Sequence, residues 1–336
     1  MVNTFQGASE ADFGRIAEQH RHELRVHCYR MLGSVQDAED LVQETFLRAW
    51  QKLNTFEGRG TFRSWLYTIA TNACLDAMDR RPARTLPVLH REAADPSEAP
   101  EPPTSESMWI EPIPDELVGD IDAGPEAYYT ARESITFAFL AALQYLPPRQ
   151  RAVLIFSDVL DWEASQVAEA LGMTSSAVNS ALHRARETLT KHYGSEGKHK
   201  TPKRIPDDEI VRLLDRYVKA WENADLEALV ALLKEDAAFT MPPSPSWYLG
   251  TEAIRTFLAH KVLAGDARGR YRFVHTRANG HPAFGWYQRD ERGERYQGFA
   301  VQVLTLDGGS IAEVMTFMKP ELFAQFGLPL ELKKIE

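Results

Sequence analysis

The chain has 336 residues, a formal net charge of -10, 44% hydrophobic and 26% charged residues. That length exceeds a single ordinary core and favours two or three domains, while the composition excludes wholesale disorder. The first residues show neither a basic leader nor an apolar signal core, and the longest apolar run, ITFAFLAAL, is too short to span a bilayer. A cytoplasmic protein with no membrane partner is therefore expected. The two cysteines, Cys28 and Cys74, lack CxxC spacing or a His/Cys cluster, so buried free thiols are expected, with no metal and no cofactor.

The charge is unevenly placed. Residues 1–91 carry a net +1, residues 92–126 a net -11, residues 127–203 a net +2 and residues 204–336 a net -2. The acidity belongs to one Pro-rich segment without Lys or Arg, which reads as a linker over 83–126. Inside it, "MWIEPIPDELV" is more apolar than a spacer needs, which suggests an ordered contact through Trp109 and its neighbours.

Residues 10–82 read as a helical module. Phe13, Ile16, Leu24, Cys28 and Met31 recur at near-helical spacing before "GSV" breaks the run. The next helix, "DAEDLVQETFLRAWQKL", opens with acids where the macrodipole favours them. It sets Leu41, Val42, Thr45, Phe46, Ala49 and Trp50 on an apolar stripe, with Asp37, Asp40, Gln43 and Glu44 mostly outside it. The loop "NTFEGRGTF" then leads into "RSWLYTIATNACLDAMDRR", where Leu66, Ile69, Ala70, Ala73 and Ala77 make the core face. Arg63, Tyr67, Thr71 and Arg80 are left for solvent or a partner. Aromatics beside a basic, flexible loop suit single-stranded nucleic acid, although Phe62, Trp65 and Tyr67 taken singly read as core.

Residues 127–193 contain a helix stopped at Pro147 and Pro148, an apolar helix, and then a helix-turn-helix over 164–183. Gly172 supplies the turn, and Thr174 or Ser175 caps the second helix. Val178, Leu182, Ala185 and Leu189 share its inner stripe. Ser175, Ser176, Asn179, Ser180 and His183 are placed to read base edges, and Arg184 and Arg186 to hold phosphate.

Residues 207–330, after a polar linker over 194–206, give two amphipathic helices split at "NAD", then strands punctuated by turns with one helix between them, an α+β plan.

Three resemblances follow from these stretches. "DAEDLVQETFLRAW" with "GRGTFRSWLYTIATNACLDAMDRR" resembles region 2 of the extracytoplasmic-function sigma factors of bacterial RNA polymerase. "LPPRQRAVLIFSDVLDWEASQVAEALGMTSSAVNSALHRARETL" resembles their region 4. The C-terminal segment, through "W.N.D" and "DA.F", resembles the cone-shaped SnoaL-like, cystatin-like fold of polyketide cyclases and ketosteroid isomerases. The implied architecture is multi-domain: two all-α sigma domains and a C-terminal α+β cone.

The resemblance implies that Asp37, Asp40, Leu41, Gln43, Glu44 and Phe46 meet the clamp of core polymerase. It gives Arg59, Phe62, Arg63, Trp65, Tyr67 and Asn72 to the minus-10 promoter element, and the residues of the second helix-turn-helix helix to the minus-35 element, with region 4 near the polymerase flap. Where Thr71 stands the family often has a basic residue, and Ala177 and Ala181 depart from its usual "TVxSRLxRAR". Loss of the Arg at 181 implies a weaker grip on DNA. "WIEPIP" resembles a Trp/Pro motif in the linkers of sigma factors with this extension, pointing to a contact by Trp109 and Pro112.

Trp221, Phe239, Trp247, Trp286, Phe299 and Phe317 are candidates to line the cone's pocket and receive a small-molecule ligand. His260, His275 and Asp236 are candidate proton-transfer groups by type, but nothing selects among them and no enzyme activity is expected. The function implied is promoter-specific initiation, modulated by intramolecular contact of the C-terminal domain with the sigma regions or linker. The alternatives are a stand-alone helix-turn-helix regulator and a DNA-binding module fused to an isomerase-like enzyme.

Overall fold

The computed structural model describes residues 10–56, 58, 60–80, 82–103, 108–118, 134–193 and 206–333. They divide into two compact units, and the chain passes between them at Arg84, at Trp109 and again near residue 197.

The first unit is helical. Its helices are α1 (Glu10–Glu18), α2 (Arg21–Leu32), α3 (Val35–Gln51) and α4 (Phe62–Met78). Gly33, at φ 71°, ends α2 in the left-handed conformation that glycine adopts without steric cost, and Ser34 caps α3 by accepting from the Asp37 amide at 3.2 Å. Thr61 caps α4 in the same way, accepting from the Ser64 amide at 3.0 Å. Leu24, Cys28, Met31, Ala38, Val42, Leu66, Ala70 and Cys74 are fully buried between α2, α3 and α4, so both thiols are core.

The same unit contains the helices of residues 134–193, so the two helical segments expected as separate domains share one packed body. A single turn of helix, α5 (Pro87–His90), belongs to the second unit. In the first unit α6 is Phe137–Gln144, α7 is Pro148–Leu154 running on into a π-turn at Ile155–Val159, α8 is Ala164–Leu171 and α9 is Ser175–Tyr193. Two buried arginines tie the segments together. Arg151 donates to the Met31 carbonyl and to Gln144 at 2.9 Å, and Arg30 donates to Ser134 at 2.7 Å. Burial pulls each guanidinium down to about 10, still charged at neutral pH, and the oxygens it meets offset its lost hydration.

The second unit combines α5 and the linker residues of Thr85–Trp109 with the C-terminal α+β body. That body has α10 (Asp207–Glu222), α11 (Leu226–Val230), β1 (Leu233–Thr240), β2 (Trp247–Leu249), α12 (Thr251–Phe257) with a π-turn, β3 (Tyr271–Ala278), β4 (His281–Arg289), β5 (Arg295–Asp307), β6 (Ser310–Phe317), α13 (Leu322–Gln325) and β7 (Glu331–Lys333). The sheet order is β2-β1-β6-β5-β4-β3, with β7 beside β5, and only β1 and β6 pair in parallel. Bulges in the β4–β5 and β5–β6 pairs accompany the bend of a curved sheet. Phe239, Phe273, Phe284 and Trp286 of the sheet share one buried core with Tyr217 and Trp221 of α10 and Phe257 of α12. Phe323 of α13 lies against Gly298, where an added Cβ would come within 2.8 Å of its ring. β2, β7 and α13 are short, and the sequence pattern did not mark them.

Candidate nucleic-acid interface

On α3, Asp40 and Gln43 are exposed, and Leu41 and Glu44 are half-buried. Leu47, 52% exposed, lies one turn beyond Gln43. Residues 40, 43, 44 and 47 share one face of an α-helix. They make a ridge in which a bare leucine sits among acids and amides. Glu44 is steadied by Arg48 at 2.7 Å. Leu47 was missed in the sequence; its spacing from Asp40 was the available signal. Two of the expected contacts face inward. Asp37 pairs with the largely buried Arg84 at 2.7 Å, and half-buried Phe46 lies beneath the guanidinium of Arg21 at 5.2 Å.

Tyr67 and Thr71, expected to face solvent or a partner, are 1% and 0% exposed. Tyr67 packs edge-on to His27 at 5.0 Å and against Trp162 at 5.8 Å, while Phe156 and Trp162 stack on each other at 4.4 Å. Its hydroxyl meets Glu23 at 3.2 Å, and Arg63 lies over its ring at 4.9 Å while donating to Glu23 at 2.6 Å. Tyr67 therefore positions Arg63 from below. Thr71 donates to the Tyr67 carbonyl at 2.7 Å, so the His27 Nε2 that meets its oxygen at 2.8 Å is the donor. Burial pulls the His27 imidazole down to about 3, and it is neutral in the core.

Beside Tyr67 a cleft of about 790 Å³ opens between the loop before α4 and the start of the helix-turn-helix. One wall carries Phe56, Gly58, Gly60, Thr61, Arg63, Ser64 and Trp65; the other carries Trp162, Gln166 and Glu169. Phe62 is half-buried behind it, 5.9 Å from Phe56 and 5.7 Å from Trp65. Asn72 is exposed further along α4, its amide turned back to the Thr68 carbonyl at 2.9 Å. Arg59 lies outside the described residues. An aromatic wall with hydroxyls and a guanidinium is suited to hold an unstacked base and its phosphate.

In the helix-turn-helix, Glu163 and Gln166 form a capping box at the start of α8, and Gly172, at φ 61°, turns the chain. Thr174 caps α9 by accepting from the Ala177 amide at 3.2 Å. Val178, Ala185 and Leu189 are buried, while Ser175, Ser176, Asn179, Ser180, His183, Arg184 and Arg186 are all exposed. Arg186 is held by Asp158 at 2.6 and 3.1 Å. Ala181 is 4% exposed, its methyl group packed inward.

The acidic linker is held by hydrogen bonds well beyond the Trp109 stretch where it is described. Within the second unit, Ala94 donates to the Trp247 carbonyl at 2.8 Å and the Trp247 indole to the Arg91 carbonyl at 2.9 Å. Glu101 donates to Ser246 at 2.8 Å and accepts from Ser244 at 2.9 Å, and the Trp109 indole donates to the Pro243 carbonyl at 3.0 Å. Residues 110–118 belong to the first unit, with Ile110 and Ile113 fully buried and Pro112 buried. The Glu111 amide donates to the Gly33 carbonyl at 2.9 Å, and Tyr29 donates to the Glu111 carbonyl at 2.6 Å.

The second unit has a cavity of about 490 Å³. Of the expected lining, Phe239, Trp286 and Phe299 line it and Trp221, Trp247 and Phe317 do not. Trp221 is core packing, 4.9 Å from Trp286, and the strand alternation turns Phe317 to the sheet's other face. Exposed His260, His275 and Asp236 lie outside the lining. Glu313, whose carboxyl burial pushes up to about 7, is across from Thr305 and also outside it.

Family comparisons match this layout in order: Sigma-70 region 2 over residues 16–83, Sigma-70 region 4 over 136–189 and a SnoaL-like domain over 214–314. The ECF RNA polymerase sigma factor SigG of Mycobacterium tuberculosis is 44% identical over 320 residues, covering 95% of this chain and 84% of that protein. The chain belongs to the extracytoplasmic-function sigma factors. SigJ of the same organism is 31% identical over 227 residues, 66% of this chain and 62% of that protein. The crystal structure of SigJ shares the fold, with a TM-score of 0.57 at 23% identity over 94% of this chain and 99% of that one. This sigma factor thus directs RNA polymerase to promoters, and its helical sigma domains are followed by a mixed α/β SnoaL-like domain. Among the described residues no helix is long and apolar enough to cross a membrane.

Proposed function

We propose that the α3 ridge of Asp40, Gln43, Glu44 and Leu47, flanked by Leu41, is the surface laid on the clamp of core RNA polymerase. Asp37 and Phe46 support it from within. A leucine ringed by polar groups is the composition of a small binding hot spot. The cleft at Trp65, Phe56 and Arg63 receives a base of the opened minus-10 element, with Phe62 behind it and Asn72 beside it. α9 reads the minus-35 element through Ser175, Ser176, Asn179, Ser180 and His183, and Arg184 and Arg186 hold phosphate; region 4 also meets the polymerase flap. The observation that carries this reading is the sorting of α9, where Ser175, Ser176, Asn179, Ser180, His183, Arg184 and Arg186 are exposed while Val178, Ala185 and Leu189 are buried.

The SnoaL-like domain acts as a binding module that modulates initiation. An apolar cavity whose lining omits the titratable candidates favours a small-molecule ligand over catalysis. The ordered linker is the route of modulation, because it is shared between both units.

The test is open-complex formation by polymerase carrying the Asn179→Ala and Trp65→Ala variants, followed by footprinting. Asn179→Ala is expected to lose protection and sequence preference at minus-35 only, and Trp65→Ala to lose minus-10 opening with minus-35 protection kept. Equal protection in both variants and the parent contradicts the assignment.

A further inference from the structure

The two promoter-reading segments share one packed body. Trp65 of α4 and Gln166 of α8 line the same cleft, and only three residues separate α8 from α9. By their names the minus-10 and minus-35 elements are about 25 base pairs apart, which is about 85 Å along B-DNA. A body of about 150 residues is about 40 Å across. No face of the packed unit spans both elements, so residues 134–193 part from residues 10–82 when both are read. What joins them then decides how far they part.

Not all of the chain between them, residues 83–133, is free to extend. Residues 110–118 are packed into the first unit, with Ile110 and Ile113 fully buried and Val118 3% exposed. Glu111 is held at three points: its amide donates to the Gly33 carbonyl at 2.9 Å, its carbonyl accepts from Tyr29 at 2.6 Å, and its carboxylate accepts from Ser34 at 2.7 Å. The half-buried His22 ring meets the Leu117 backbone. These partners all belong to α2 and the turn that follows it, so they stay in place when residues 134–193 leave. Between Val118 and Ser134 only residues 119–133 remain.

We propose that residues 110–118 stay on region 2 in the polymerase-bound state, and that the short tether left between them and region 4 sets the promoter spacer this sigma factor accepts. Whatever path residues 119–133 take, the steps from Val118 to Ser134 cover at most about 55 Å. Two helical bodies of this size each add about 14 Å from surface to centre, which lets their centres separate by about 80 Å. The separation required is about 85 Å, so the tether only just reaches, and each added base pair asks for about 3.4 Å more. Freeing residues 110–118 adds about 30 Å and removes the limit. A tether that cannot span two sites gives no second binding event, whereas a longer one gives it at any spacing within reach. The anchor at Glu111, Ile110 and Ile113 is thus a specificity determinant that touches no DNA. This rests on assigning the minus-10 element to region 2 and the minus-35 element to region 4.

Holoenzyme carrying the full chain is tested on one promoter that it uses from a genomic pool, rebuilt with its spacer shortened or lengthened by up to about four base pairs, and transcript and footprint are read together. When the spacer is lengthened by about three base pairs, the parent is expected to lose minus-35 protection and at least ~10-fold in transcript. A chain with about eight Gly and Ser residues inserted after Gly124, which leaves both ends of the tether in place, is expected to keep the protection and stay within about 2-fold of its best level there. Removal of residues 121–124 takes away about 14 Å and is expected to shift the optimum to a shorter spacer. Ile113→Asp unseats the anchor and is expected to widen the accepted range as the insertion does, with a melt taken alongside to show that the helical unit is folded; the insertion and the deletion decide the matter if it is not. One spacer profile shared by parent, insertion and deletion overturns the proposal, because the polymerase then sets the spacing. A folded Ile113→Asp chain that keeps the parent's narrow range, while the insertion widens it, overturns the anchor. A parent that protects neither element at any spacing overturns the promoter assignment, and the tether's role with it.

Discussion

Ser34 and Glu111 are 77 residues apart in the chain and joined by a 2.7 Å hydrogen bond from the serine hydroxyl to the carboxylate. The same hydroxyl accepts from the Asp37 amide, so a single side chain both caps α3 and fastens the linker. Glu111→Ala removes the acceptor and leaves a buried hydroxyl without it, at a cost of about 1–3 kcal/mol. Thermal unfolding of the first unit is expected to begin several degrees lower, and exchange of the Asp37 amide to rise. An unchanged melt would show that the clasp carries no stability.

His27 makes stability depend on pH. Its folded value, about 3, lies below the ordinary histidine value, so between these the unfolded chain binds more protons and stability rises with pH. The contribution is complete above about pH 7 and falls by roughly 2 kcal/mol on going to pH 5. Denaturant unfolding at pH 7.5 and pH 5 measures it directly. In His27→Leu, whose core is apolar at that position, the difference is expected to shrink to a few tenths of a kcal/mol; a slope that survives the substitution assigns it to another group.

Glu169 stands on the wall of the cleft that faces Trp65 and Arg63. Its carboxylate repels a phosphate approaching Arg63, so Glu169→Gln is expected to bind a single-stranded minus-10 oligonucleotide about 2–5-fold more tightly at low salt, with the gain fading as salt rises. Fluorescence anisotropy at two ionic strengths checks this, and no gain at either would exclude the strand from that cleft.

Leu47→Asp puts a third charge on the α3 ridge without touching the core, because the side chain is 52% exposed. Affinity for core polymerase is expected to fall at least ~10-fold while the melt of the isolated protein shifts by no more than about 0.5 kcal/mol. Binding measured by surface capture of core polymerase, with the melt alongside, distinguishes a lost contact from a lost fold.

The longer helices, the Gly172 turn with its Thr174 cap and the longer strands of the C-terminal domain were legible because each is a local pattern. Tyr67 and Thr71 were misplaced because α4 is covered on two sides. Leu66, Ala70 and Ala73 mark one buried face, but Tyr67, Thr71 and Cys74 mark a second whose cover, His27, Phe156 and Trp162, comes from distant sequence. The linker's order was hidden because its partners, Ser244, Ser246 and Trp247, are about 145 residues away and bind mostly its backbone, which composition does not report.

The most direct measurement of the central claim is in vitro transcription with core polymerase over a pool of genomic promoters, comparing the full chain with one truncated after Lys200. The full chain is expected to direct initiation from a defined subset of promoters, and the truncated chain, whose linker has lost the loop that anchors it, to use the same subset at a different level. Failure of both chains to direct initiation from any promoter, with a control sigma factor active in the same assay, would contradict the account.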